Sequence, residues 1–232
     1  MAARVVVAAT FTSVTESGDR THQEIAPEAD YRAGRGIDRL INFSDAVVAV
    51  AITLLVLPLV ELRPEEGQTF TQLVSANAAQ VWVFVFTFFL VGVLWLAHHR
   101  VLNGARAYDG TIFWLTIFWL ACLALLPWLS ALMGENGWSG DQPDGTIYAA
   151  FWGALALASF TTAAMSDHLR RHPSLLEPAV ANHPVRGPAR FRGLIFGLFF
   201  VALALLSLAS VTLAQWVPLL IIPLSFWLRR SH

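Results

Sequence analysis

The heptapeptide Arg39-x-x-x-Phe43-Ser44-Asp45 sets a carboxylate about a turn and a half inside an apolar run that continues from Ala46 to Leu57 and stops at Pro58. An ionisable group there is costly unless it meets a partner or water, so Asp45 marks either a functional site or a structural network. Arg39 and Asp45 lie about 120° apart around a helix, which makes a direct pair awkward and turns Asp45 toward another element. A second apolar run ends Trp95-x-x-His98-His99-Arg100, and consecutive elements are usually neighbours. An N–H from Trp95, His98 or His99 that donates to the Asp45 carboxylate would satisfy it and pin two helices together. A carboxylate facing His98 or His99 is also the chemistry of a proton relay. Two adjacent histidines alone read as interfacial residues beside Arg100; opposite a buried aspartate at matching depth they read as members of a network.

Other chemistries lack their residues. There is no His-Glu-x-x-His, Gly-x-Gly-Asp or Gly-x-Ser-x-Gly, so a hydrolytic nucleophile and base are missing and no enzyme activity is expected. No Thr-Val-Gly-Tyr-Gly loop is present, so ions would not be selected by a carbonyl-lined filter. Asp167-His168 reads as an interfacial pair without assigned chemistry. Cys122 is single, so no disulfide framework exists, and neither a metal site nor a cofactor is expected.

The elements that must position these groups are set by composition. Of 232 residues, 56% are hydrophobic and only 13% charged, with a mean hydropathy of +0.58. A soluble globule could not cover such a core with polar surface, so the expected class is an all-α integral membrane protein. Apolar segments at about 40–62, 74–97, 111–133 and 146–165 each approach the ~20 residues that a ~30 Å hydrocarbon core demands. The charge-free stretch 193–228 would run nearly two bilayer cores as one helix and must fold back. A tight turn is placed at Thr212 to Gln215, with Trp216 as interfacial anchor and Pro218 and Pro223 loosening the chain beyond it, giving six spans.

Twelve arginines fall on one side of these spans, whereas Arg63 stands alone on the other with Glu61, Glu65, Glu66, Glu135, Asp141 and Asp144. Basic residues are held on the cytoplasmic side, so both termini are expected there. The expected organisation is a cytoplasmic tail over 1–36 and a six-helix transmembrane domain over 37–230. A net charge of −1 offers no field for nucleic acid. Every basic residue is arginine, which fits a GC-rich bacterial source and localisation in a bacterial inner membrane.

The elements Arg39-x-x-x-Phe43-Ser44-Asp45, Ala51-Ile-Thr-Leu-Leu-Val-Leu57 and Trp95-x-x-His98-His99-Arg100 resemble the transmembrane protein 175 family of lysosomal and bacterial potassium channels. The resemblance implies a homotetramer of six-span chains, no pore loop, and a conduction path lined by the first helix. It also implies a bottleneck at Val50 and Leu57 with Thr53 between them.

Steps of three and four along the first span connect Ala46, Val50, Thr53 and Leu57 in one stripe. Four copies around an axis would stack rings of small, branched apolar, hydroxyl and large apolar side chains. Apolar rings constrict and dewet, as a gate does, and a Thr53 ring could replace part of a cation's hydration shell. The expected function is a passive, potassium-preferring cation channel in a lipid bilayer, with potassium and other monovalent cations as its ions. The alternative is a proton-coupled secondary transporter that uses Asp45 with His98 or His99.

Overall fold

The computed structural model describes residues 28–135, 144–182 and 191–211. In chain order the helices are α1 (Glu28–Leu54), α2 (Leu57–Val60), α3 (Phe70–Ala76), α4 (Ala78–Asn103), α5 (Gly110–Glu135), α6 (Gly145–Arg171), α7 (Pro178–Asn182) and α8 (Arg192–Ala209), with a 3₁₀ turn at Pro173–Leu175. Among the described residues, five segments, Gly36–Val60, α4, α5, α6 and α8, are long and apolar enough to cross a membrane. Among the described residues the architecture is all-helical, and strand-like pairing is limited to a bridge between Ala105 and Leu176. The expected turn at residues 212–215, the Trp216 anchor and the sixth span lie outside the described residues.

The helical boundaries depart from hydropathy alone in three places. α1 is described from Glu28, inside the segment expected as tail, and no proline interrupts the chain from there to Pro58. At its other end α1 stops at Leu54, four residues before Pro58, which has no N–H to return to the Leu54 carbonyl. The chain tightens there, with Leu55 N–H and Val56 N–H donating to carbonyls three residues back, on Ile52 and Thr53, at 3.3 Å each. Hydropathy starts the second span at Val74; instead α3 ends at Asn77, whose side-chain amide donates to the Leu73 carbonyl at 2.9 Å, and α4 starts afresh. α3 is itself opened by a reciprocal cap in which Thr69 accepts from the Gln72 amide and the Gln72 side chain accepts from Thr69 N–H.

α6 is the central helix, packed on α5 along one side and on α8 along another. The largest buried side chains are Trp119 of α5, Tyr148, Phe151 and Trp152 of α6 and Phe200 of α8. The hydroxyls of Ser159, Thr161, Thr162 and Ser166 of α6 donate to carbonyls one turn back, at 2.7 to 3.0 Å. Such self-satisfaction is what a non-aqueous surrounding requires of a polar group. α8 approaches α6 closely because Gly193 and Gly197 face it one turn apart: a Cβ on Gly193 would stand 3.1 Å from the Ser159 carbonyl, and one on Gly197 would enter the Phe160 ring. Gly145 at the start of α6 lies against the Ser207 carbonyl near the end of α8, so the two helices run antiparallel, with α8 meeting α6 between Gly145 and Ala163.

α1 packs by one seam only. Ile37, Leu40, Ser44, Val48, Ala51 and Leu55, spaced by three and four, are buried against α4 and α5. Ser44 is tolerated in that seam because its hydroxyl donates to the Leu40 carbonyl at 2.9 Å.

Gly197→Leu should force α8 off α6, costing about 1–3 kcal/mol as overpacked sites do. The readout is the unfolding temperature in detergent, with Gly153→Ala, where a Cβ meets nothing within 4 Å, as the substitution that leaves it unchanged.

Candidate functional site

Asp45 emerges from α1 about 100° from Ser44 and meets α4. Trp95 Nε1–H donates to Asp45 Oδ1 at 2.7 Å, and His99 Nδ1 stands 3.4 Å from the same oxygen. Trp95 and His99 are one turn apart on α4, their rings 5.0 Å apart and inclined by 34°. The indole supplies the hydrogen bond, and the imidazole approaches the same oxygen without forming one. Asp45 retains 35% of its side-chain exposure, which leaves the carboxylate in reach of water or of a neighbouring molecule.

His98 plays a different part from its neighbour. One residue further round α4, it is 1% exposed and stacks on Trp119 of α5, with ring centroids 3.9 Å apart and planes within 12°. The adjacent histidines thus divide their work: His99 faces α1 and His98 faces α5. Trp119 escapes a reading of the sequence because aromatic residues abound in α5 and none of them carries a distinguishing neighbour. Among the described residues no hydrogen bond or ion pair joins Arg39 or Phe43 to Asp45; Arg39 is exposed, and Phe43 projects outward on the same side of α1.

That outward side carries the expected stripe. Ala46, Val50, Thr53 and Leu57 are all exposed, Val50 at 58% and Leu57 at 51%, whereas Val48 and Leu55 on the opposite side are buried. Thr53 Oγ1 donates its proton to the Val50 carbonyl at 2.8 Å. Its oxygen therefore turns only lone pairs outward, the electronic arrangement that a cation ligand needs. Leu57 belongs to α2, beyond the break, so its place on the stripe depends on the geometry of that break rather than on a continuous helix.

A second polar pairing carries no mark in the sequence. Asp109, between α4 and α5, lies 2.7 Å from His168 Nε2. Asp-Gly ahead of an apolar run is a helix-start signal and is legible as such; its union with a histidine 59 residues away is not. Asp167, by contrast, keeps to its own helix, bonded to Arg170 and Arg171 at 2.7 Å each.

Because Asp45 and Trp95 share one bond, Asp45→Ala and Trp95→Phe should each cost on the order of 1–2 kcal/mol, the scale of interhelical polar contacts in membranes. The double variant should cost little more than either single one. Unfolding of the four proteins in detergent checks this, and additive losses would show that the side chains act separately.

The family model described as "Endosomal/lysosomal potassium channel TMEM175" matches residues 39–127. The human protein named "Endosomal/lysosomal proton channel TMEM175" is 28% identical over 206 residues, covering 81% of this chain but 40% of its own length. A potassium channel of Streptomyces collinus is 29% identical over 181 residues, 76% of this chain and 85% of that protein. In fold, the chain resembles the crystal structure of a lysosomal potassium-selective channel TMEM175 homolog from Chamaesiphon minutus, with a TM-score of 0.64, 22% identity, and coverage of 84% of this chain and 98% of that one. The region that matches the family model holds both the Arg39-to-Asp45 signature and the Trp95-to-Arg100 element, so residues 39–127 are similar to the transmembrane protein 175 ion channels.

Proposed function

We propose that this chain is the protomer of a passive, potassium-preferring cation channel whose pore is lined by α1. The observation that carries the reading is the two-sidedness of α1: Ala46, Val50, Thr53 and Leu57 are exposed on a helix whose opposite seam is buried and whose rotation is held by Asp45. A bundle of one chain has no axis along which α1 could face itself. A cyclic assembly of four copies would enclose the four stripes, and closed symmetry leaves no unpaired edge. The names of the Streptomyces collinus and Chamaesiphon minutus proteins as potassium channels support the ion assigned.

In that assembly Val50 and Leu57 form apolar rings that hold back a hydrated cation, because they strip water without returning oxygen ligands. Between them, the Thr53 oxygens offer lone pairs to a partly dehydrated ion. Selection then follows from pore width and hydroxyl oxygens, with no loop of carbonyls. The arginine bias of the connections supports a position in the cell membrane with both termini cytoplasmic.

Proton passage is the second reading. It is favoured by the 3.4 Å approach of His99 to Asp45 and by the name proton channel carried by the human relative. A passive potassium channel gives a current that reverses at the potassium equilibrium potential whatever the proton gradient; a proton-coupled transporter does not. Planar-bilayer recording across a potassium gradient separates the two.

Native mass spectrometry in detergent should give a tetramer, and a clean monomer or dimer rules out the shared pore. In bilayers, Val50→Asn and Leu57→Asn should each raise potassium conductance by wetting their rings. Thr53→Ala should lower the preference for potassium over sodium while leaving conductance of the same order. Leu125→Asn, at an exposed position of α5 away from the stripe, should change neither, and silence at all three stripe positions would remove α1 from the pore wall.

A further inference from the structure

The face of the bundle that holds the α4–α5 connection and the end of α6 carries titratable groups that conduction along α1 does not use. Asp109 opens α5: its Oδ1 accepts the Ile112 N–H at 2.9 Å, and its backbone carbonyl accepts the Phe113 N–H at 3.0 Å. The other carboxylate oxygen, Oδ2, accepts from Nε2 of His168 in the last turn of α6, at 2.7 Å. His172, one turn on, donates Nδ1–H to the His168 carbonyl at 2.9 Å, and its ring lies 4.3 Å from the His168 ring. One carboxylate therefore joins the start of α5 to the end of α6, each oxygen serving one helix.

The connections around this joint are tied to one another. Arg106 Nε donates to the Ser174 carbonyl and Arg106 N–H to the Leu175 carbonyl, both at 2.9 Å. Glu177 N–H donates to the Gly104 carbonyl at 3.1 Å. Beneath them lies a buried apolar cluster that unites Ile37 and Leu40 of α1 with Leu102, Ile112, Met165 and Leu169. Ile112 and Leu169 of this cluster lie within one turn of Asp109 and His168, so the joint borders the cluster that holds Ile37 and Leu40.

The other charged groups nearby are engaged or directed elsewhere. On α6, Asp167 is shared by Arg170 and Arg171. On the connections, Arg106 is bonded as described, Glu177 enters through its backbone, and the Tyr108 ring stacks near Phe113. On α1, Asp38 and Arg39 are exposed. Burial tends to push the Asp109 carboxyl up, but the Ile112 amide and the His168 and His172 imidazoles outweigh it and hold the group below the usual carboxylate range. Asp109 accordingly stays charged at neutral pH.

We propose that His168 and Asp109 form a proton-operated latch at the cytoplasmic face. In its unprotonated form the His168 ring donates Nε2–H to Asp109. A proton arriving from solution at the other ring nitrogen turns that hydrogen bond into an ion pair, which draws the start of α5 harder onto the end of α6 and holds Ile37 and Leu40 of α1 beneath. On the channel reading proposed above, on which this consequence rests, a held α1 opens less readily, so cytoplasmic acid reduces current.

The test uses the full chain in planar bilayers, with the cytoplasmic side stepped from about pH 7.5 to about 5.5 and the other side fixed, across the range in which imidazoles titrate. Wild-type potassium current should fall about two- to fivefold, the range that an exposed ion pair permits. His168→Gln keeps an N–H for Asp109 but takes up no proton, and its current should be flat across the same step. Asp109→Asn keeps a capping oxygen for Ile112 but removes the charge, and should likewise flatten the response. A flat wild type, or a His168→Gln channel that falls as the wild type does, overturns the latch. If no variant carries current, the channel reading fails and hydrogen exchange decides the latch alone. Corrected for intrinsic rates, amides at the start of α5 and in the last turn of α6 should exchange more slowly at the lower pH in the wild type and not in His168→Gln; equal exchange in the two overturns it.

Discussion

The rotation of one helix about its own axis decides what this molecule presents to its surroundings, and a single indole proton fixes that rotation. α1 has two faces of similar apolar character, and lipid alone would not distinguish them, since hydrocarbon tails are no less apolar than leucine. Trp95 Nε1–H on Asp45 Oδ1 at 2.7 Å breaks the tie. With Asp45 turned to α4, the Ile37-to-Leu55 seam goes inward and the Ala46-to-Leu57 stripe goes outward. The back-bonded hydroxyls of Ser44 and Thr53 then fall where each is harmless or useful: Ser44 closed on the Leu40 carbonyl inside, Thr53 closed on the Val50 carbonyl with its lone pairs outside.

The remainder of the bundle serves as a frame for that helix. α6 and α8 are drawn together by the absence of side chains at Gly193 and Gly197, so dispersion acts over a close and extended contact where no aqueous driving force exists. Trp152 of α6 meets Phe86 of α4 edge-on and stacks on Phe200 of α8, and the His98–Trp119 stack couples α4 to α5. Each junction uses a different force, a hydrogen-bonded carboxylate, an aromatic stack or a backbone approach, which limits the ways in which near-identical apolar helices can pair.

Features that depend on period or on cost are legible in the sequence. Span lengths are dictated by bilayer thickness, and the five described spans lie close to where hydropathy sets them. Asp45 is legible because an acid in an apolar run must be answered, and Trp95 and His99 because they end the next run at the same depth. The stripe of Ala46, Val50 and Thr53 comes from helical geometry, and its three residues are exposed. Contacts between distant segments of ordinary composition are not legible. Trp119 behind His98, His168 on Asp109, and the glycine approach of α8 to α6 each join residues that carry no local mark of their partner. The breaks at Asn77 and after Leu54 lie between, since Asn and Pro announce a disturbance but not which side of them the helix will yield.

The break between Leu54 and Leu57 bears on timing as well as shape. Val50 rides on α1, whose angle is tied to α4 through Asp45, while Leu57 rides on a separate four-residue turn across a junction that Pro58 deprives of a backbone tie. Two constrictions on one rigid rod would open together, and the passage would have a single dwell time. On the proposed reading, two constrictions on segments parted by a helix break open as separate events in series, so the fraction of time in which ions pass is the product of two probabilities. On the proposed reading, such a pore is shut by either end alone and flickers on two time scales, the slower set by the anchored inner segment and the faster by the short outer one.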